Sequence, residues 1–194
     1  MTETAGNTRE KLLNVAQDLI QRRGLNAMSF QDLSDAVGIR KASVYHHFAS
    51  KAEMVEALLQ RYLSGMSTLL DEILKSRANG KTKLKRYCDL FVETLKSGKQ
   101  NKACLCGMLM AELLTLNDKS QLRVREFLQQ NNDAIESILR EGSEDGSLKI
   151  QGTIKGTARL VLATLEGGLL IARCEGGPKQ LAETATRLVQ LLAS

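Results

Sequence analysis

The sequence predicts an all-α protein of about nine helices, and its composition and patterning support this class. The 194 residues include 32 leucines but only 16 valines and isoleucines together. Unbranched leucine keeps its rotamers in a helix, whereas β-branched and aromatic side chains favour strands. Aromatic residues make up 4% of the chain, and Pro178 is the single proline. Apolar residues also recur at helical rather than alternating spacing.

Three helical segments separated by turns fill the first 50 residues. The first follows Thr8, which can cap it, and ends at Gly24. Its Leu12, Ala16 and Ile20 recur at helical spacing and form one apolar face. We therefore expect an amphipathic first helix.

The next two helices are short. Ser29 and Asp32 are three residues apart and resemble a capping box with a shorter acid, and Gly38 closes a helix of barely two turns. A third helix covers about residues 41–48, and Ser50 caps a long fourth helix. A helix, a short helix, a tight turn and another short helix form the helix-turn-helix pattern.

The remainder of the chain predicts five more helices. They cover residues 83–97, 103–116, 120–141, 153–174 and 179–193. The connection GSEDGSLKIQG, between the third and fourth of these, has no periodicity and is rich in turn residues. We expect a helix-turn-helix domain at residues 1–50 and a helical bundle at residues 51–194.

The distribution of charge narrows the possible partners. The net charge is +5, but residues 1–62 carry 8 basic and 7 acidic groups. A nucleic-acid partner must therefore be argued from the positions of the charges. The polar N-terminus lacks a signal-peptide block, and the most apolar helix is interrupted by Glu166 and too short for a membrane span. We expect a cytoplasmic protein with reduced thiols.

The third helix turns a polar face outward. Val44 and Phe48 are four residues apart, so both face the core. At about 100° per residue, Ala42, Ser43 and His46 then point most directly outward. This small and donor-rich face suits a helix that lies in the major groove of double-stranded DNA.

Residues beside this face are placed to meet phosphates. Tyr45 and His47 lie on its flanks. Lys51 begins the next helix, whose N-terminal amides add to an anion site. Arg40 and Lys41 precede the third helix and supply positive charge.

Other interpretations of the paired histidines have less support. His46 and His47 diverge by about 100° in a helix, so they cannot easily share one metal ion, and no third ligand is nearby. A catalytic base would need a nucleophile and an orienting carboxylate, and neither is present there. Simple solvated surface residues are the remaining alternative. We expect no catalytic residue, no metal site and no cofactor.

Residues 8–54, and above all SFQDLSDAVGIRKASVYHHFASKAEM, resemble the N-terminal module of the TetR family of bacterial transcriptional regulators. The segment departs from common family residues at Phe30 and Ala42. The resemblance implies that six residues lie near base edges or adjacent phosphates: Gln31, Arg40, Lys41, Ser43, Tyr45 and His46. It also implies phosphate contacts for Ser29, His47 and Lys51.

The resemblance further implies a second helical domain that forms a homodimer and binds an effector. Apolar stripes in the last two helices agree with this, as do two glycines in mid-helix, where glycine costs about 1 kcal/mol relative to alanine. The predicted dimer interface contains Ala158, Val161, Leu165, Gly167, Gly168, Leu169, Leu181, Ala185, Leu188 and Leu192. Ordinary packing within one chain is the alternative. A two-fold dimer fits a palindromic operator.

Candidate residues for an effector pocket come from the middle helices. They are Phe91, Cys104, Cys106, Met108, Met110, Leu113 and Phe127, and each could equally be part of the core. Two of them, Cys104 and Cys106, stand near a predicted helix start and follow Lys99 and Lys102, a setting that favours thiolate. Buried, unreactive thiols are the alternative. Cys88 and Cys174 are expected to be structural.

The sequence therefore predicts a dimeric regulator, a repressor, that an unidentified small molecule releases from a palindromic operator. One alternative is a thiol-based regulator that senses electrophiles or oxidants through Cys104 or Cys106. Another is a thiol enzyme with a DNA-binding head, which the position of both histidines in that head argues against. A third is an architectural or interaction module without an effector.

Overall fold

A computed structural model describes residues 2–97 and 101–194, with side chains from residue 7 onward. Nine α-helices and one short 3-10 helix form this described part. They are α1 (Thr2–Arg23), α2 (Phe30–Val37), α3 (Lys41–His47), α4 (Lys51–Lys75), α5 (Gly80–Ser97), α6 (Leu105–Ala111), the 3-10 helix (Leu113–Thr115), α7 (Asp118–Glu144), α8 (Ile154–Cys174) and α9 (Gly177–Leu192). The predicted all-α class is confirmed. No helix in the described ranges is long and apolar enough to cross a membrane.

The single helix predicted over residues 103–116 is wrong, because the chain tightens after α6. The amide of Glu112 bonds to the carbonyl of Leu109, and the amide of Thr115 bonds to the carbonyl of Glu112. These bonds span three residues rather than four, which produces a 3-10 turn. The side chain of Asn117 then accepts a bond from the amide of Ser120 at 2.9 Å and starts α7.

The chain packs as two compact units. The first contains Met1–Ser64 and Leu105–Arg125, and the second contains Gly65–Cys104 and Glu126–Ser194. The first part of α4 and the α6 segment thus pack with the N-terminal helices. The domain boundary predicted after residue 50 remains a prediction, and the packing adds α6 to the N-terminal group.

The first unit has a continuous apolar core. Its fully buried residues include Leu12, Leu13, Ala16, Ile20, Leu33, Val44 and Phe48, each at most 1% exposed. The Arg61 guanidinium ties α4 to α1, because it donates to Glu10 Oε2, Asn14 Oδ1 and Gln17 Oε1 at 2.8–3.0 Å. This core confirms the predicted apolar face of α1, but the helix begins at Thr2, so the cap predicted at Thr8 is wrong.

The second unit combines an apolar core with two buried polar contacts. The hydroxyl of Tyr87 donates to Asn131 Oδ1 at 2.8 Å, and both residues are fully buried. The ammonium of Lys83 donates to the carbonyl of Leu74 and to both carboxylate oxygens of Glu141, at 2.7–2.8 Å. These bonds satisfy polar groups that would otherwise be costly to bury.

Gly24 lies in a turn that a carboxylate from another segment closes. Its φ of +88° is in the left-handed region, and a Cβ there would lie 2.6 Å from Glu112 Oε1. Glu112 in turn accepts hydrogen bonds from the backbone amides of Leu25 and Asn26, at 2.8–3.3 Å. The turn between α1 and α2 therefore requires glycine for two reasons, conformation and space.

Gly24→Ala is expected to lower the free energy of unfolding by about 2–4 kcal/mol. About 1–2 kcal/mol comes from the left-handed conformation, and the rest from displacing Glu112 from the partly buried amide of Leu25. Gly38→Ala is the matched control, because Gly38 has a φ of +74° but no atom within 4 Å of a Cβ. Urea denaturation measures both, and equal losses for the two variants would contradict the role of Glu112.

Candidate nucleic-acid interface and effector core

The N-terminus of α2 is fixed by a complete capping box. The amide of Asp32 bonds to Ser29 Oγ at 3.3 Å, and the amide of Ser29 bonds to Asp32 Oδ2 at 2.7 Å. Arg23 adds an ion pair with Asp32 at 2.7 Å. Hydrogen bonds from Ser29 and Arg23 hold the pKa of Asp32 well below its usual range. The predicted capping box is confirmed, and it fixes the start of α2 relative to α1.

The turn between α2 and α3 depends on Gly38. Its amide and that of Ile39 both bond to the carbonyl of Ser34, at 2.9 and 3.0 Å. This arrangement caps α2 and needs a left-handed residue, which glycine supplies without strain. The turn directs the chain into α3, whose N-cap is Arg40.

Two apolar anchors orient α3. Val44 and Phe48 are both 0% exposed. The guanidinium of Arg9 lies 4.9 Å above the Phe48 ring. The predicted inward direction of these two residues is confirmed, so the opposite side of α3 faces outward.

The outward side carries the polar residues that the sequence placed there. Ala42, Tyr45 and His46 are exposed, and Ser43 and His47 are half-buried. The rings of His46 and His47 are 5.6 Å apart and inclined by 69°. In the described ranges, no group of three or more histidine, cysteine or acidic residues could hold a metal ion. The face therefore offers hydrogen-bond donors and acceptors in an open position.

Positive charge remains available beside this face. Arg40 and Lys41 are exposed and form no ion pair with any described residue. Ser29 and Gln31 are exposed as well, although Gln31 Nε2 donates to Asp35 Oδ1 at 2.8 Å. These side chains share the accessible surface of α2 and α3 and can meet a polyanion without unfolding.

Lys51 differs from the other predicted phosphate contacts. It is half-buried at the start of α4 and lines a cleft of about 120 Å³ with Leu25, Asn26 and residues 115–117. Desolvation lowers its pKa, and the nearby carboxylates of Glu112 and Asp32 oppose that shift. Its ammonium therefore already has acidic neighbours. The sequence does not indicate the role of Glu112, since its partners are 86 and 87 residues away in the chain.

Two family models match the sequence. "Bacterial regulatory proteins, tetR family" covers residues 12–58, and "Tetracyclin repressor-like, C-terminal domain" covers residues 80–188. The chain belongs to the TetR family. This result agrees with the prediction of a transcriptional regulator rather than an enzyme.

Individual relatives extend the match. The transcriptional repressor KstR2 of Rhodococcus jostii is 36% identical over 149 residues, which cover 76% of this chain and 72% of that protein. KstR2 of Mycobacterium tuberculosis is 38% identical over 89 residues, but these cover 46% of this chain and 43% of that protein. The crystal structure of a TetR-family regulator from Agrobacterium tumefaciens has a TM-score of 0.92 at 27% identity, and covers 98% of this chain and 100% of that chain.

In this TetR-family chain, the structure corrects most of the predicted dimer interface. Seven of the ten residues are buried within the chain: Ala158, Val161, Leu165, Leu169, Leu181, Ala185 and Leu188, each at most 7% exposed. A Cβ on Gly168 would lie 3.3 Å from Leu181 Cδ1. This glycine therefore serves the close approach of α8 and α9 in one chain, and ordinary core packing accounts for the stripe. Gly167 and Leu192 are half-buried.

The opposite side of α8 carries a second apolar stripe. Leu160, Leu170 and Ile171 are 61%, 43% and 56% exposed. Ala163 and Gly167 lie at the intervening helical positions, and a Cβ on Gly167 would meet no atom within 4 Å. Spacings of three, four and seven residues place these residues on one face. An exposed apolar face of this kind is typical of an interaction surface.

The predicted effector residues divide between the two units. Phe91, Cys104 and Phe127 are buried in the second unit, whereas Cys106, Met108, Met110 and Leu113 belong to the first. Of the four residues in the first unit, Cys106 is buried, and Met108, Met110 and Leu113 are half-buried. The seven residues therefore remain a prediction as a set.

The thiols have surroundings that the sequence did not show. Cys104 and Cys106 lie at the start of α6, as predicted, but are only 4% and 0% exposed. Lys99 lies outside the described residues, and Lys102 is half-buried. Burial raises the pKa of Cys88 to about 12, which agrees with a structural role. The structure corrects the prediction for Cys174, which is exposed at the end of α8.

Glu166 is the most unusual titratable group in the second unit. Both of its carboxylate oxygens are buried, and no nitrogen or oxygen donor of the described residues bonds to either. Burial raises its pKa from 4.5 to about 7, and the nearby Cys104 thiol opposes the shift only in part. Burial raises the pKa of Tyr87 well above its usual value, and electrostatic interactions with Glu166 and Cys104 add to that shift. From the sequence alone, Glu166 is recognisable only as an interruption of an apolar helix.

The free energy of unfolding is expected to fall between about pH 4.5 and pH 7 because of Glu166. In this window the unfolded chain releases the Glu166 proton, while the folded chain retains it. Ionisation therefore favours the unfolded state, by about 3 kcal/mol once the pH exceeds 7. Glu166→Gln should remove this loss, so the difference between variant and wild type should grow with pH. Urea denaturation from pH 4.5 to 8 measures it, with Glu183→Gln on an exposed carboxylate as control. Parallel profiles for Glu166→Gln and wild type would contradict the assignment.

Proposed function

We propose that this TetR-family regulator is a homodimeric repressor that binds a palindromic operator in double-stranded DNA and is released from it by a small-molecule effector. The observation that carries the proposal is the orientation of α3. Val44 and Phe48 are fully buried, so the polar side of the helix is open to a partner. A face of this size and polarity fits the major groove. Relatives named as repressors support repression over activation.

We assign the DNA contacts by position on this surface. Ser43 and His46 on the outward side of α3, with Gln31 on α2, are proposed to meet base edges. The phosphate contacts are proposed for Ser29, Arg40, Lys41, Tyr45, His47 and Lys51. For Lys51, phosphate binding would compete with Glu112 and Asp32, which already oppose its pKa shift. A cytoplasmic location and the absence of a cofactor remain predictions.

Selection of bound sequences from random duplex DNA tests the operator proposal. A homodimer should recover two inverted half-sites about 34–36 Å apart, or a multiple of one helical turn. Titration with salt should then lower affinity steeply, because phosphate contacts release counterions. Recovery of unrelated sequences, or no binding at low ionic strength, would contradict the proposal.

Base contacts and phosphate contacts should respond differently to substitution. His46→Ala is expected to cost about 1–3 kcal/mol on the selected operator and to relax base preference at one position of each half-site. Lys41→Ala should weaken all duplexes alike and reduce the salt slope by about 1 per contact. Fluorescence anisotropy with operator and scrambled duplexes measures both. Lys179→Ala is the control for lost charge, because Lys179 is an exposed lysine of the second unit. The assignment fails if His46→Ala weakens both duplexes equally.

We propose that the outward stripe of α8 forms the two-fold interface. Leu160, Leu170 and Ile171 supply its apolar contacts, and Gly167 allows close approach of the partner helix. Burial of this stripe would remove apolar surface from water on both subunits, which favours association. A two-fold axis at α8 would repeat the DNA-binding surface for the two operator half-sites.

Ile171→Glu is expected to shift the chain from dimer to monomer, because burying an unpaired carboxylate at an apolar interface is costly. Leu122→Glu is the matched control, since Leu122 is 55% exposed on α7 of the first unit. Sedimentation velocity measures the oligomeric state, and operator binding should weaken in parallel. A dimeric Ile171→Glu variant would place the interface elsewhere.

Effector release is proposed to act by population shift. An effector must bind the state that is incompetent for DNA more tightly than the competent state, since equal affinity for both shifts nothing. α4 contributes residues to both compact units and carries Lys51 at its start. We propose that it transmits the change, because its displacement would alter the separation of the two α3 helices. Thiol sensing has less support, because Cys104 and Cys106 are only 4% and 0% exposed, whereas reactive cysteines are accessible to solvent.

A further inference from the structure

The second unit contains a buried carboxylate that no strong hydrogen-bond donor of the described residues satisfies. Both oxygens of Glu166 are buried, and no nitrogen or oxygen donor of the described residues bonds to either. The Cys104 thiol is the neighbour that lowers the pKa of this carboxyl by hydrogen bonding. Buried polar groups in native proteins are almost always paired, and an unpaired charge is among the most costly exceptions. Such a group needs an explanation beyond stability, because a leucine at this position would remove the cost.

The surroundings of Glu166 supply apolar walls but no strong donor. Leu162 and Leu169, one turn away on either side, are at most 5% exposed and belong to the core. The hydroxyl of Tyr87 donates to Asn131 instead, at 2.8 Å. The Cys104 thiol is close enough to lower the pKa of Glu166, but a thiol is only a weak donor. The component missing from this cluster is therefore a hydrogen-bond donor, and a positive charge would satisfy both oxygens.

Aromatic rings complete the features of a site for an organic cation. Tyr87 interacts electrostatically with Glu166, and its ring lies 5.7 Å from that of Phe91. The faces of such rings attract ammonium groups, most strongly where water is excluded. A metal ion fits less well, because Ca²⁺ and Mg²⁺ require several oxygen ligands and the described residues form no metal-binding group.

We propose that Glu166 anchors the effector of this regulator and that the effector is an organic amine, whose protonated nitrogen pairs with Glu166 while an apolar body packs against Tyr87 and Phe91. The inference rests on the proposed function, since it names the chemical class of the effector. Binding would favour conformations of the core that admit the ligand. An uncharged isostere would leave the carboxylate unpaired, and an anion would be repelled.

Protonation of the Glu166 carboxyl predicts a pH dependence of binding, which is a second test of the proposal. The titratable groups that interact with Glu166 are Cys104, from the segment before α6, and Tyr87, from α5. A cation binds the ionised form of Glu166, so binding near neutral pH must expel the proton that this carboxyl holds. Affinity should therefore rise from pH 6 to pH 8, and proton release should be largest at the lower pH. A ligand that instead accepted a hydrogen bond from the protonated acid would show the opposite trend.

Isothermal titration calorimetry of the full chain tests the inference with a series of primary alkylammonium ions from butyl to dodecyl. The matched alcohols and carboxylates serve as uncharged and anionic controls. We expect at least one ammonium ion to bind and its alcohol to bind about 10- to 100-fold more weakly, the range of a charge-assisted hydrogen bond. Repeating each titration in buffers of different ionisation enthalpy counts the released protons.

Substitution identifies the residue responsible. Glu166→Gln should weaken ammonium binding by about 10- to 100-fold and abolish proton release. Glu166→Asp should retain part of both, and Glu183→Gln should retain both in full. Circular dichroism confirms that each variant is folded. The inference is overturned if no ammonium ion binds, if the alcohol binds equally well, or if Glu166→Gln binds like the wild type. Anisotropy with operator DNA in the absence of amine is measured separately, and a failure there contradicts the regulator function without affecting the calorimetric result.

Discussion

The burial of Val44 and Phe48 is the constraint on which the DNA-binding surface depends. These side chains are four residues apart, so together they fix the rotation of α3 about its axis. A helix of seven residues with no side-chain cap is not stable by itself, and its position must come from tertiary packing. The same packing that stabilises α3 therefore decides which of its residues face outward. The position of α3 and its proposed recognition of DNA therefore both depend on the packing of Val44 and Phe48.

Local charge pairing explains how a segment of nearly balanced charge can present a positive surface. The carboxylate of Asp32 is engaged by Ser29 and Arg23, and that of Glu112 is engaged by backbone amides of the turn after α1. These acids lie in structural contacts, whereas Arg40 and Lys41 have no ion-pair partner among the described residues. The field that a polyanion meets therefore depends on which charges are already paired and not on their number.

The parts of the structure that were predictable are those with local causes. The capping box at Ser29, the turn at Gly38 and the inward direction of Val44 each depend on residues within one or two turns, and all three are confirmed. The contact of Glu112 with the turn after α1 could not be predicted, because nothing in either segment identifies its partner across 86 residues. The 3-10 turn after α6 was not predictable either, and its segment also packs with helices that are far away in the sequence.

α8 shows a different limit of sequence reasoning. It has apolar residues on two sides, so helical periodicity cannot tell which stripe faces the core and which faces a partner. The adjacent glycines illustrate the point, because a Cβ on Gly168 would contact Leu181 while a Cβ on Gly167 would contact nothing. Only the packing of α9 distinguishes them.

The buried carboxylate of α8 shows why a costly residue can be useful to a regulator. A ligand shifts a conformational equilibrium by the difference between its affinities for the two conformations. The stability of the unliganded protein therefore matters as much as that of the complex. Glu166 has no strong hydrogen-bond donor, which makes the core less stable. Under our proposal, a cation that pairs with Glu166 would remove that penalty only where the site is occupied. Such a site would also be specific for cations, because an uncharged molecule would not offset the cost of burying the carboxylate. A leucine at residue 166 would give a more stable core, but one that responds to no charge.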